Sequence, residues 1–430
     1  MTKARLDGLQ MLILGGVFFV AIGALMEFFN PLGMTDFEEL YYGSRAVTHH
    51  CDPYRPDEVA ALYRAENGSL PADSGVAHTK RLIIFICSNL PTTLLLTAPL
   101  AALPWKAALW LWMILIATAF LFACFLIWRV GADSAPRLHG GLLCLLLVNS
   151  GLLLCAGNTA GLAISLSVIA VCCFVEDRFA LAGVLCLAVA LAMKPHDAGS
   201  LWLYFLLTGG VPRKRALQTL AVTAIIGAAA IIWLSNTTPH WLPEYQSNLQ
   251  AAMSSGGRDY PGPATQGGRG IGQIISLQAV LSLVRDDVRF YNPVAYLVCG
   301  VLFLLWCLRT LRARFSPQMA WFAFAAIAPL TMLPFYHRTY DARLLLLAVP
   351  ACAALWKEHP VLGRWALGLT LAAIVLTGDI FWITFFQITH YSGPSVAFGM
   401  IPAPLILLAM GVFFLCVYLR DPAAAKAQPS

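Results

Sequence analysis

Charge is scarce in this chain. Lys, Arg, Asp and Glu make up 12% of its 430 residues and hydrophobic residues 59%, whereas a soluble domain carries about 25% charged residues. That deficit excludes a water-soluble globule of this size, which needs more polar surface than the sequence supplies. Disorder is excluded as well, because the apolar residues run in long blocks. A C-x-x-C pair is also missing. All but one of the 12 cysteines lie in apolar runs, the exception being Cys51, and they read as small packing residues rather than metal ligands or a disulfide framework. There is no repeat of fixed period, no nucleic-acid-binding patch and no soluble domain. What remains is a single integral membrane domain over residues 1–430, an all-α polytopic protein.

Apolar blocks of spanning or near-spanning length cover 11–29, 82–104, 107–128, 140–156, 159–175, 179–193, 198–208, 217–234, 293–308, 318–334, 343–356, 364–387 and 400–418. The first follows Lys3 and Arg5 without a small-residue cleavage site, so it reads as a retained span. The basic residues decide how many of the thirteen blocks cross. Arg129, Arg137, Arg178, Arg213-Lys214-Arg215, Arg309, Arg312, Arg314, Lys357, Arg364, Arg420 and Lys426 all fall on the N-terminal side of the membrane only if 82–104 does not cross. That block is broken by Pro91, Pro99 and Pro104 and carries Ser88, Asn89, Thr92 and Thr93, as an interrupted or re-entrant element would. The expectation is therefore about twelve crossings of an inner (plasma) membrane, both termini in the cytoplasm, and two long outer loops at 30–106 and 235–292. The middle of the second loop, from Ser254 to Gly270, is glycine-rich and reads as a flexible flap.

Ionisable groups at membrane depth are costly and so mark functional candidates. Asp36 lies just past the first span, in Thr35-Asp36-Phe37-Glu38-Glu39, where a carboxylate can serve as a general base or simply cap a helix. Lys194-Pro195-His196-Asp197 separates two short apolar runs. Lys194 there suits either a phosphate or carboxylate ligand or a snorkelling role. His337, Arg338 and Arg343, with Tyr336, Tyr340 and Asp341, suit an anionic ligand, or else form a solvated turn in which Asp341 pairs with Arg338. Gly157-Asn158 taken alone is a turn. Asp379 inside the block 364–387, Glu27 and His390-Tyr391 rank below these, and Trp241, Tyr245, Tyr260 and Gly257-Arg258-Asp259 are residue types that could meet an acceptor sugar.

Asp36-Phe37, Tyr41-Tyr42, Arg45-Ala46 and Asp52-Pro53-Tyr54 come first in the chain. They are followed by Ala98-Pro99-Leu100, Leu103-Pro104, Gly157-Asn158, Ala182-Gly183 leading to Lys194-Pro195, and the loop His337 to Asp341. In this order and spacing, over roughly residues 10–350, they resemble glycosyltransferase family 87, of the GT-C class of polyprenyl-phosphate-sugar-dependent membrane transferases. The resemblance implies a GT-C-type fold and transfer of a sugar, mannose being expected, to a lipid or glycan acceptor on the outer face. Asp36 would be the catalytic base, and Lys194, His337, Arg338 and Arg343 would lie by the donor phosphate. Tyr41, Tyr42, Tyr54, Asn158, His196, Asp197, Tyr340 and Asp341 are further candidate site residues. No carboxylate cluster resembles a metal cage, so no metal and no cofactor are expected. The expected partners are the donor, the acceptor and membrane lipids, without nucleic acid. A transporter or lipid flippase is the competing class, although no second copy of the Lys194 hairpin is present as paired broken helices would require.

Overall fold

The structure, a computed structural model, describes residues 2–30, 32–68, 75–263, 274–389 and 399–420. Pro31, Asp73, the Gly267-Gly268-Arg269-Gly270 part of the glycine-rich stretch, His390-Tyr391 and Lys426 lie outside the described residues. Everything regular among the described residues is helical, apart from one isolated bridge between Ile274 and Arg338.

Helices occupy the apolar blocks, and others stand in the polar stretches 30–106 and 235–292. They are α1 (Lys3–Phe29), α2 (Thr35–Thr48), α3 (Pro56–Asn67), α4 (Gly75–Ile84), α5 (Pro91–Ala101), α6 (Trp105–Gly131), α7 (Pro136–Val148), α8 (Leu152–Ala156), α9 (Ala160–Val175) and α10 (Ala180–Met193). Next come α11 (Pro195–Leu207), α12 (Gly210–Thr237), α13 (Trp241–Met253), α14 (Leu277–Val284), α15 (Val288–Arg312) and α16 (Pro317–Thr331). A 3₁₀ segment (Thr339–Ala348) then runs into α17 (Val349–Glu358), followed by α18 (Pro360–Leu376), α19 (Asp379–Thr389) and α20 (Pro402–Arg420). Proline opens α3, α5, α7, α11, α16 and α18 in the first turn, where its missing N–H costs nothing and its fixed φ suits a helix start.

Seven helical stretches are long and apolar enough to cross a membrane, or eight if α18 and α19, which meet at 55°, count as one broken span. α5, α9 and α10 are apolar but shorter. The block 82–104 is two helical pieces, α4 ending at Ile84 and α5 starting at Pro91, joined by extended chain. The long helices differ in how much they hide. Only 17% of the apolar window of α12 is buried, against 89% for Thr339–Glu358. α12 therefore forms part of the rim with a lipid-compatible face, and the 3₁₀ segment with α17 is the centre of the bundle.

Small residues allow a close helix pairing between α1 and α7. A Cβ on Gly8 would lie 2.3 Å from the Pro136 carbonyl oxygen, and one on Gly140 would lie 2.2 Å from that of Gly8. Such backbone approach is how helices associate where lipid removes the hydrophobic drive between them. Ion pairs gather the basic segments together: Arg5 with Asp133 (2.9 Å), Arg137 with Asp7 (2.7 Å), Arg129 with Glu176 (3.6 Å), and Arg215 with Asp177. Beside them, Ala4, Pro136, Arg137, Trp356 and Lys357 line a groove of about 370 Å³.

The two long polar loops meet on each other. Asn248 on α13 donates to the carbonyls of Tyr54 and Cys87, both at 2.9 Å. Arg258 pairs with Glu39 at 2.9 Å and donates to Ser88 Oγ, while the Ser88 N–H donates to the same carboxylate at 2.8 Å. The stretch Ser254–Pro263 is thus anchored at Arg258, where its composition alone suggested a free flap. Burial pushes the Glu39 carboxyl above its usual range, against the pull of the Arg258 guanidinium.

Candidate active site

Asp36 stands in the first turn of α2, and an aromatic stack fixes that turn. Met34 adopts a left-handed conformation (φ 57°) just before it. Phe37 stacks between Trp105 and Trp112 at centroid distances of 5.5 and 5.1 Å, and the indole N–H of Trp112 donates to the carbonyl of Gly157 at 2.7 Å. Gly157 itself has φ 65°, and a Cβ there would lie 2.8 Å from the Phe37 Cβ. Glycine is the residue that meets both demands. The Asp36 turn and the Gly157-Asn158 break are therefore locked together.

Asn158 uses that lock. Its Nδ2 donates to Asp36 Oδ2 at 2.7 Å and contacts the Tyr340 hydroxyl at 3.0 Å. Its own Oδ1 accepts the Ala160 N–H at 2.9 Å, which fixes which way the amide points. Asp36 and Asn158 are both partly exposed, so the carboxylate keeps an open side. What reads in sequence as a turn is the residue that orients the candidate base.

The chain of polar groups continues. Tyr340 lies under the Lys194 ammonium, 5.1 Å from ring centroid to Nζ. Lys194 is hydrogen-bonded to Asp341 Oδ1 and lies 3.4 Å from Asp197 Oδ2. Asp341 Oδ2 accepts the backbone N–H of Arg338 at 2.8 Å, which starts the 3₁₀ segment. His337, completely buried, has Nε2 3.3 Å from Asp197 Oδ1 and its ring edge-to-face with His196 at 5.0 Å. The loop carrying it is held by the Ile275 N–H, which donates to the His337 carbonyl at 2.9 Å. Nearby, α5 is seated on the end of α10: Thr93 Oγ1 donates to the Met193 carbonyl at 3.2 Å, and Thr92 Oγ1 to that of Ala192.

The structure brings Asp36, Asn158, Tyr340, Lys194, Asp341, Asp197, His337 and His196 into one continuous cluster. It places the other candidates elsewhere. Arg338 turns to the second loop, donating to the Arg258 carbonyl at 3.0 Å and to Asp259 at 3.4 Å and contacting the Tyr336 hydroxyl. Arg343 is 1% exposed and pairs with Asp379 at 3.2 Å. Tyr41 donates to the Leu103 carbonyl at 2.8 Å, Tyr42 contacts Glu66 and Asn67, and Tyr54 donates to the Asn89 carbonyl at 2.9 Å. Trp241 and Tyr245 pack on Tyr54. These three tyrosines fasten the first loop to its neighbours. Among the described residues, one group of three could hold a metal: His196, Asp197 and His337, whose ligand atoms lie within 4.8 Å of one another. Trp112 and the Glu39–Arg258 pair escaped the sequence reading, because a tryptophan in an apolar run and a charge pair 219 residues apart carry no local signal. The chain matches no family model, no curated protein and no solved structure.

Proposed function

We propose that this chain is a GT-C-type membrane glycosyltransferase that moves a sugar, mannose by the resemblance noted above, from a polyprenyl phosphate to a lipid or glycan acceptor. The topology that goes with this reading is about twelve crossings of the inner membrane, with both termini inside and the segment 82–104 dipping in from the outer face. The observation that carries it is the placement of Asp36. A carboxylate with one oriented hydrogen bond from Asn158 and an open side is joined through Tyr340 to a buried cluster of ionisable groups that includes Lys194 and His337. An acceptor hydroxyl needs a base, and a lipid-phosphate leaving group needs nearby charge compensation at the interface.

The reaction is a direct displacement. Asp36 takes the proton of the acceptor hydroxyl as its oxygen bonds to the anomeric carbon. The bond from that carbon to the phosphate oxygen breaks, and the polyprenyl phosphate leaves with the electron pair, inverting the configuration. Lys194 and His337 are the residues that the resemblance assigns to the donor phosphate, and they lie in the same cluster. Asn158 and Tyr340 act as positioning residues, Asn158 on Asp36 and Tyr340 beneath Lys194.

The test is transfer from a radiolabelled polyprenyl-phosphate mannose donor by membranes carrying the full chain. Asp36→Asn keeps the shape and the Asn158 neighbour but removes the base, so transfer falls by about 10²–10⁴-fold. Wild-type transfer by Asp36→Asn would overturn the assignment. Donor-independent substrate flux that survives in that variant would favour a transporter.

A further inference from the structure

The cluster around His337 holds buried polar atoms whose protein partners are ion-pair contacts rather than aligned hydrogen bonds. The His337 Nδ1 lies 3.2 Å from the Phe335 carbonyl oxygen, which can only accept, so Nδ1 carries the proton in that contact. Nε2 faces Asp197 Oδ1 at 3.3 Å: a second ring proton would make this an ion pair, and the neutral ring sets two acceptors face to face, an arrangement that a bound cation would bridge. Both Asp197 oxygens and His337 Nε2 are fully buried without an aligned hydrogen bond, and Asp197 Oδ2 has Lys194 Nζ at 3.4 Å. Buried polar atoms of this kind need a partner. A donated Nδ1–H to a backbone carbonyl is also how proteins fix the tautomer of a metal-ligating histidine.

Geometry and charge point the same way. The separation of His337 Nε2 and Asp197 Oδ1 matches a tetrahedron edge of about 3.3 Å for bonds near 2.0–2.1 Å. His196 is adjacent to Asp197 and edge-to-face with His337, and its ring offers a third atom within 4.8 Å of the other two, so its side chain would draw in by a small rotation to close on an ion. With both carboxylates ionised and both imidazoles neutral, as metal ligation requires, Lys194, Asp197 and Asp341 sum to one negative charge, an unfavourable setting for a phosphate, and Arg338 is turned toward Asp259. A divalent ion reverses that sum to one positive.

We propose that His196, Asp197 and His337 form a three-ligand site for a divalent transition-metal ion of the Zn²⁺ or Mn²⁺ class. Two imidazoles and one carboxylate select such ions over Mg²⁺ or Ca²⁺, which prefer all-oxygen shells. Positions left open on the ion take water or, resting on the transferase reading, a phosphate oxygen of the donor.

The experiment uses the full chain in nanodiscs, stripped with EDTA and titrated by calorimetry with Zn²⁺ and, separately, Mn²⁺. One ion per chain is expected for the wild type. Asp197→Asn, His337→Gln and His196→Ala should each weaken binding by at least about 10–100-fold. His196 is exposed, so its variant is the one expected to stay folded if the buried pair does not tolerate change. Absence of stoichiometric binding, or unchanged binding in the His196 variant, would overturn the site. Mn²⁺ then serves as a paramagnetic probe. Broadening of the phosphorus resonance of added polyprenyl phosphate supports the phosphate contact. Metal binding without broadening keeps the metal site and removes the donor phosphate from it, so the two failures are told apart.

Discussion

Replacing Arg343 by methionine distinguishes a structural from a substrate-binding role for that residue. Its guanidinium is buried with Asp379, Nη2 to Oδ1 at 3.2 Å, and also donates to the Thr377 carbonyl at 3.1 Å. Asp379 in turn accepts the Leu152 N–H on its other oxygen at 2.7 Å. At 3.2 Å the pair attraction is about 5 kcal/mol for an effective dielectric of 20. R343M leaves the carboxylate buried with one backbone donor, and breaking such a pair costs about 3–5 kcal/mol. A neutral interhelical hydrogen bond in a membrane protein averages only about 0.6 kcal/mol, so the stranded charge, rather than the lost bond, dominates. The double variant R343M/D379N removes that charge and retains a carbonyl oxygen for Leu152. It should recover most of the loss, giving a coupling of at least about 2 kcal/mol in a double-mutant cycle. The assay is reversible unfolding in mixed micelles as the denaturing detergent fraction rises, with donor KM measured in parallel. Single and double variants equal within about 0.5 kcal/mol would refute the reasoning. So would a stable R343M whose donor KM rises at unchanged kcat, since that places Arg343 on the phosphate.

Three further outcomes are expected. G157A forces a side chain into positive φ, about 1–2 kcal/mol, and its Cβ meets Phe37 Cβ at 2.8 Å, so transfer should fall at least tenfold even where the folded yield is kept; full activity would count against the lock on Asp36. R258A leaves Glu39 without the cation that offsets its burial. The Glu39 carboxyl is already raised, so its stabilising contribution is present below its unfolded value and is lost as pH rises through the folded value; R258A should therefore lose thermal stability relative to E39Q/R258A as pH rises above the ordinary carboxylate range, and equal pH slopes would sink this account. G140A sets a Cβ 2.2 Å from the Gly8 carbonyl oxygen. It should cost about 1–3 kcal/mol by overpacking, read in the same micelle unfolding, and a neutral result would mean α1 and α7 do not approach as closely as described.

The architecture was largely legible in the sequence because burial in lipid imposes a simple rule on composition. Each apolar block from 11–29 to 400–418 corresponds to a helix or a pair of helical pieces, and Pro91 marks the start of the second piece in 82–104. Asp36, Lys194, His337 and Asp341 were singled out because charge is expensive there, and the fold does bring them into one cluster. Direction was not legible. Arg338 and Arg343 lie within a few residues of His337 along the chain, yet one turns to the second loop and the other into the core. Neighbours in a 3₁₀ segment point different ways, and no spacing rule says which faces the cluster. Gly157-Asn158 taken alone reads as a turn, and only the resemblance marks Asn158, because its partner Asp36 is 122 residues away.

The residues that matter gather where helices break. Asp36 follows the α1–α2 break, Asn158 the α8–α9 break, and Lys194 the α10–α11 break. His337 and Asp341 flank the start of the 3₁₀ segment, and Asp379 stands at the bend between α18 and α19. Each break frees backbone groups that lipid cannot satisfy, so each must be buried in protein and supplied with polar partners. Asp379 shows the supply directly: it caps the Leu152 N–H of α8, while its own N–H donates to the Asn149 carbonyl at 3.3 Å. Once such breaks are packed against one another, side chains from distant parts of the chain meet in a small polar volume inside an apolar bundle. Structural demand and chemical opportunity therefore arise from the same cause. Under this reading, breaks whose polar groups are fully consumed, as at Asp379, hold the fold. Breaks that leave an open or mismatched group, as at Asp36 and at His337 with Asp197, are where substrate or metal should be sought.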